Sequence, residues 1–310
     1  MLINKNNIEP GGQEVIRLLV GRLPSDTRIY LNVHVYRSAK PGPVVGLLAG
    51  VHGDEINSVE ILRRVIAGGM LEKLERGSVL VIPVLNVYGF NNFSRDVPDG
   101  KDVNRSFPGS AKGSLASRVA RLFTRHILPH IDFAIDFHTG GNSNYNYPQI
   151  RYTAGHQASR ELAEQFAAPF LIAARPIARS LRKTAVTAGK PVIVFEGGEN
   201  LRYDGLSIEQ GMAGIQRVLH AHEMLGSAPP PTHEPVHLTK TTWVRASRPG
   251  MFRWTKPSGQ PVRKGEPLGL INDPFGESEY PVLASKDGYL IGHNNATIAG
   301  QGDALFHIGA

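Results

Sequence analysis

Two periodicities alternate over the first two-thirds of the chain, and only one of them survives in the last third. Over Glu14–Leu19 and again over Thr27–Tyr36, apolar residues take every second place, with Ile29, Leu31, Val33 and Val35 in the second run. That alternation predicts strands with one wet face, and His34 falls on the polar phase as a solvent-side histidine. Val44 to Val51 and Ser78 to Asn86 are denser apolar runs, as strands covered on both faces require. Helical spacing follows the first of them, where Val59, Leu62, Val65, Ile66 and Met70 recur through Leu74. The same exchange continues downstream. Helices are expected over Ser114–Leu128, Ala158–Ile172 and Ser207–Leu225, and buried strands over Ile131–Thr139 and Pro191–Gly198. Ser207 and Gln210 have the spacing of a capping box at the start of the last helix. Strands exchanging with helices predict an α/β fold with much of its sheet parallel.

The pattern breaks at Ser227–Pro235, a proline-rich stretch that cannot continue a helix and favours extended structure. Beyond it the helical period is gone and a repeat takes its place. Val244–Phe252 and Val282–Leu290 share the pattern V-x-A-S-basic-x-G-x-apolar, and Gly265, Leu268 and Ile271 are echoed by Gly302, Leu305 and Ile308. Two short-strand units with glycine turns imply a small β domain with pseudo-twofold symmetry. The chain is therefore expected to divide into residues 1–227, a linker at 228–236 and a β domain at 237–310. The half-repeat resembles the barrel-sandwich hybrid of lipoyl and biotinyl carriers, in which a modified lysine sits on the hairpin between the halves. Here that connection, Asn272–Glu277, has no lysine, so the resemblance implies the fold and not a swinging arm.

Composition narrows the class. The 310 residues include no cysteine, which removes disulfides, thiolate zinc sites and a cysteine nucleophile together. The formal charge of +7 is scattered rather than gathered on one helix or strand, so nucleic acid is not the expected partner. A basic protein handling small acidic substrates fits that charge. The start, MLINKNNIEPGGQE, lacks a secretory apolar core, and no apolar run approaches the ~20 residues of a membrane span. A cytoplasmic location is expected, and a homo-oligomer is compatible with the sequence.

Chemistry collects at the ends of the buried runs. His52 and Glu55 sit where the first apolar run turns into a helix, His138 ends Ile131–Thr139, and Glu196 ends Pro191–Gly198. In a parallel sheet the carboxyl ends of strands lie along one edge, so these four can converge. Two histidines and one glutamate form a known catalytic zinc set, leaving a fourth position for water, whose pKa zinc lowers to about 7. Glu196 is then free to act as general base and acid. A long irregular segment, Val87–Gly113, adds Asn104 beside Arg105, a pair suited to a carboxylate, and Arg95, placed to stabilise an oxyanion.

Taken together, HGDE at 52–55, DVNRSFPG at 102–109, DFHT at 136–139 and VFEGG at 194–198 resemble the succinylglutamate desuccinylase/aspartoacylase family of zinc hydrolases, relatives of the zinc carboxypeptidases. The resemblance runs from about Val44 to Gly198, and the trailing β domain also looks like that family's. It implies a three-layer α/β/α domain with a central mixed sheet, one zinc per chain, and hydrolysis of a small N-acyl amino acid. It makes His52, Glu55 and His138 the zinc ligands, Glu196 the catalytic glutamate, Asn104 and Arg105 the substrate-carboxylate binders, and Arg95 the residue that polarises the carbonyl. A further arginine used by the aspartoacylase branch corresponds to Arg182 or to Lys190 in position, and the sequence does not choose between them. Relatives include deacetylases of N-acetyl-diaminobutyrate. A metallocarboxypeptidase acting on peptides and a non-catalytic binding protein are the alternative readings.

Overall fold

The computed structural model describes residues 1–310. After a two-residue hairpin, β1 (Leu2–Ile3) with β2 (Asn6–Asn7), the two alternating runs become an antiparallel ribbon, β3 (Gln13–Arg22) and β4 (Arg28–Arg37). The denser runs form β5 (Val44–Leu48), β6 (Ser78–Ile82), β7 (Phe133–Gly140) and β10 (Val192–Glu199). Two further strands, β8 (Asn144–Thr153) and β9 (Phe170–Ala174), complete one side. Across the sheet the order is β9-β8-β10-β7-β5-β6-β4-β3. The inner strands β10, β7, β5 and β6 are parallel, while β8 runs against β10, with β9 parallel to it, and β4 and β3 run against their neighbours, so the sheet is mixed as expected.

Helices cover both faces. On one face α1 (Ile56–Ala67) packs beside two later helices, α4 (Gln157–Phe166) and α6 (Gly205–Ala221); the other carries α3 (Leu115–His126) and α5 (Leu181–Thr187). A short α2 (Val87–Asn91) opens the long loop. Alternate residues of the inner strands divide between two cores. Val45, Leu47, Ile135, Phe137, Ile193 and Phe195 meet Ile61, Phe166 and Ile215 of the first face. Leu48, Leu80, Ala134 and Val192 meet Val119, Phe123 and Leu181 of the second. Each of the valine, leucine, isoleucine and phenylalanine side chains contributes about 1.5–3 kcal/mol by leaving water, which fixes the phase of every strand.

Three expectations are corrected. The helix expected over Ala158–Ile172 ends at Phe166: Ala167 turns left-handed at φ 53° and Pro169 follows, so Phe170–Ala174 extends as β9. The cap of α6 is Asp204, whose carboxylate accepts the Ser207 N–H at 2.7 Å, rather than a box of Ser207 with Gln210. His34 is half-buried against a hollow lined by Val87 and Phe90, not free in solvent.

Downstream of the prolines, β11 (Val236–Leu238) adds to β9 in parallel. Eight strands follow: β12 (Thr241–Arg245), β13 (Gly250–Trp254), β14 (Pro261–Val262), β15 (Pro267–Asn272), β16 (Glu279–Leu283), β17 (Gly288–Asn294), β18 (Ile298–Ala299) and β19 (Ala304–Gly309). They make two layers, β12-β19-β17-β14 and β16-β15-β13-β18, around a core that includes Leu268, Ile271, Leu305 and Ile308. Exchanging the halves maps one strand order onto the other. Gly250 and Gly288 open β13 and β17 with φ of 158° and 154°, where a Cβ would also meet the carbonyls of Asn272 and Gly309, and Gly265 and Gly302 turn at 83° and 90°, so both pairs need glycine's freedom. The repeat in the sequence is thus a real twofold in the fold. The sandwich is not separate from the large sheet, because β17 pairs with the first residues of β8. No helix is long and apolar enough to cross a membrane.

Candidate active site

The carboxyl ends of β5, β7 and β10 open onto one cleft of about 250 Å³. On the second face of β7 the sequence passes from Ala134 in the core to Asp136 and His138; on β10 it passes from Val192 to Val194 and Glu196. The period of two therefore carries each strand from packing into chemistry without a change of face. Gly53, in the turn after β5, lets that turn lie against α2: a Cβ there would run into the backbone of Gly89 and Phe90.

His52, Glu55 and His138 converge as expected, with their donor atoms within 4.8 Å of one another, and all three are buried. Glu55 bridges the imidazoles: Oε1 lies 2.7 Å from His52 Nδ1 and Oε2 lies 2.8 Å from His138 Nδ1. Burial alone would raise the Glu55 carboxyl, but the two imidazoles hold it well below the usual range. The histidines respond in the other direction. Burial lowers both, yet Glu55 and Asp102 carry His52 above its ordinary value, and Asp136 and Glu55 carry His138 well above it. Each outer ring nitrogen faces a carboxylate, His138 Nε2 at 3.0 Å from Asp136 and His52 Nε2 at 3.3 Å from Asp102. A buried pair of imidazoles and a carboxylate, each ring aimed by an outer acid, fits a divalent cation in its donors and in their orientation.

Glu196 lies across the cleft, its Oε2 receiving the Asn146 amide at 2.9 Å and its Oε1 3.7 Å from Arg151 Nε. Arg95 Nη2 donates to Asp102 at 2.9 Å, while Nη1 stands 3.3 Å from His52 Nδ1 and 3.7 Å from Glu55. Asn104 Oδ1 accepts the Leu181 N–H at the start of α5 at 2.9 Å, which fixes the amide and leaves its NH₂ as the free donor. Arg105 is half-exposed and tied to the Asn104 carbonyl at 2.9 Å. Arg182 lines the cleft, with Nη1 unpaired, and burial, with Arg151 alongside, pushes its guanidinium down to about 10. Lys190 precedes β10 at the opposite end from Glu196 and does not line the cleft.

Sequence reasoning missed four contributors. Asp136 was legible in principle, two residues before His138 on a strand and hence on its face. Asn146 and Arg151 belong to β8, a strand hidden by its polar sequence and by Pro148. That proline sits where the strand bulges between Gly198↔Asn146 and Glu196↔Gln149 and changes outer partner, from β17 to β9. Trp243 reaches the cleft from β12, beyond the prolines. No local signal marks a residue that arrives through strand order.

A mixed sheet between helical layers, with two imidazoles and a carboxylate at its strand ends and a second carboxylate opposite, defines a hydrolase of the metal-dependent type. The comparisons agree. Residues 41–222 match the succinylglutamate desuccinylase/aspartoacylase catalytic domain, so the chain belongs to that family. Its members cleave amide bonds, and the chain is a hydrolase of carbon–nitrogen bonds. It is 29% identical over 283 residues to the N-α-acetyl-L-2,4-diaminobutyric acid deacetylase of Halomonas elongata, covering 85% of this chain and 81% of that protein. Among solved structures it is similar to a succinylglutamate desuccinylase/aspartoacylase of Rhodobacter sphaeroides, at a TM-score of 0.86 and 24% identity over 98% of this chain and 97% of that one. The ectoine utilization protein EutE (DoeB) of Ruegeria pomeroyi gives 0.87 at 24%, over 98% and 96%.

Proposed function

We propose that the protein is a zinc-dependent deacylase of small N-acyl amino acids, preferring those with an acidic side chain. One observation carries the preference. The cleft holds four arginines, Arg95, Arg105, Arg151 and Arg182, while its acids are engaged by other side chains: Glu55 by the imidazoles, Asp136 by His138, and Glu196 by Asn146 and Arg151. No carboxylate is left for an ammonium group, and the unpaired Nη1 of the Arg182 guanidinium calls for an anion.

His52, Glu55 and His138 would hold one zinc, which supplies Lewis acidity toward water and the amide carbonyl. Glu196, steadied by Asn146, accepts the proton of the attacking water and delivers it to the departing nitrogen. Arg95, beside His52 and Glu55, opposes the negative charge that grows on the carbonyl oxygen. Asn104 offers its fixed NH₂ and Arg105 its guanidinium to the substrate carboxylate, and Arg182, rather than Lys190, supplies the further cation. A cleft of about 250 Å³, below the usual range for drug-sized ligands, favours a small molecule over a peptide.

The test is a zinc-loaded screen of N-formyl, N-acetyl and N-succinyl amino acids, with N-acetylglutamate, N-acetylaspartate and N-acetyl-diaminobutyrate compared directly. We expect higher kcat/KM for the acidic substrates. Higher kcat/KM for diaminobutyrate would remove the charge argument. Glu196→Gln is expected to keep its zinc and to lose roughly 10²–10⁴-fold in kcat; near-normal turnover would remove Glu196 from proton transfer.

A further inference from the structure

One row of residues crosses the boundary between the large sheet and the sandwich. Trp243 on β12 pairs with His307 on β19, His307 with Gly292 on β17, Gly292 with Asn146 on β8, and Asn146 with Gly198 on β10. Direct cross-strand partners share a face, so Trp243, His307 and Asn146 stand on the cleft side together. The indole lies flat on the His307 imidazole, with centroids 4.3 Å apart and planes 5° from parallel. His307 is 5% exposed, its Nδ1 has no partner, and burial, with Arg151 and Lys286 nearby, pushes it down to about 3, so it is a neutral platform. Gly292 keeps the row compact: a Cβ there would stand 3.1 Å from Asn146 Oδ1 and 2.8 Å from the Tyr145 carbonyl. Asn146 in turn holds Glu196.

Trp243 is therefore a rigid aromatic surface delivered to the rim of the cleft that contains Glu196. The other apolar residues lining the cleft are Val194 and Ile177. We propose that Trp243 is the specificity-determining wall of this site, closing it on the side of Arg151 and Glu196 and selecting compact N-acyl groups against long acyl chains. The proposal rests on the deacylase reading above. A wall fixed by a ring stack and a ladder of hydrogen-bonded strands cannot swing aside for a longer chain as a loop side chain can. Its effect falls on the ratio between substrates rather than on the chemistry they share.

The experiment uses the full-length zinc-loaded protein and the series N-acetyl-, N-butyryl- and N-hexanoyl-glutamate. Trp243→Ala is expected to raise the hexanoyl-to-acetyl ratio of kcat/KM at least about tenfold, the scale of discrimination by an apolar pocket. Trp243→Phe, which keeps a ring on His307, is expected to lie between wild type and Trp243→Ala, and it replaces the alanine variant if that one does not fold. An unchanged ratio in the folded variants overturns the proposal. A second arm uses Trp254→Phe, in which Trp243 is the only remaining tryptophan. Its emission is expected to change on titration with the N-acetyl substrate, and silence across the series overturns the wall. If wild type hydrolyses none of the series, the deacylase reading falls, and the emission arm still decides whether Trp243 faces the ligand.

Discussion

Asp102 and Asp136 shape the site from behind the imidazoles. Asp136 is hydrogen-bonded to His138 Nε2 and Asp102 stands 3.3 Å from His52 Nε2, so each carboxylate faces the nitrogen turned away from Glu55 and favours presenting the other one inward. Asp136→Asn is expected to weaken zinc binding by about 10–100-fold while leaving the fold intact, measured by competition with a chromogenic chelator. Equal affinity in wild type and variant would show that the ring needs no such partner. Gly53 acts through backbone alone. Gly53→Ala forces the turn away from α2 and is expected to cost about 1–3 kcal/mol in denaturant unfolding and to lower zinc affinity, because His52 moves with it. An alanine variant as stable as wild type would refute the close approach. These residues also show how far a sequence can be read. His52, Glu55, His138 and Glu196 stood out because each ends an apolar run, and burial sets that pattern locally. Arg151 and Trp243 come to the cleft by strand neighbours distant in the chain, and no local pattern records those neighbours.

Helices and strands were legible to the extent that one periodicity filled the segment. β5, β6, β7 and β10 satisfy that condition; the ends of β7 and β10 fall within two residues of expectation, whereas β5 stops at Leu48 and β6 at Ile82 although their apolar runs continue to Val51 and Asn86. The segment from Ala158 to Ile172 did not, because α4 and β9 abut across Pro169 and their apolar residues merge into one apparent helix. The start of α6 makes the same point in energy. Asp204 rather than Ser207 caps it, so Asp204→Ala should cost about 1 kcal/mol and Asp204→Ser should restore most of it. Thermal unfolding of the two variants decides this, and an alanine variant with wild-type Tm would return the cap to Ser207.

At the scale of the molecule, β11 on β9 and β17 on β8 join the part after the prolines to the part before. Calorimetry of the whole chain should therefore show one unfolding transition, and two separate transitions would establish two independent units. A chain ending at Pro235 leaves the edges of β8 and β9 bare and is expected to aggregate. The twofold within the sandwich has a last consequence. Arg253 in one half pairs with Leu270 as Gly292 in the other pairs with His307, so the two positions correspond, yet Arg253 is exposed and Gly292 is wedged between His307 and Asn146. Two copies of one half-unit thus answer to different masters: the copy grafted onto the enzyme has lost its latitude, and its twin keeps the freedom to vary. A saturation library at both positions, scored for turnover, would measure that inequality of mutational tolerance inside a single polypeptide.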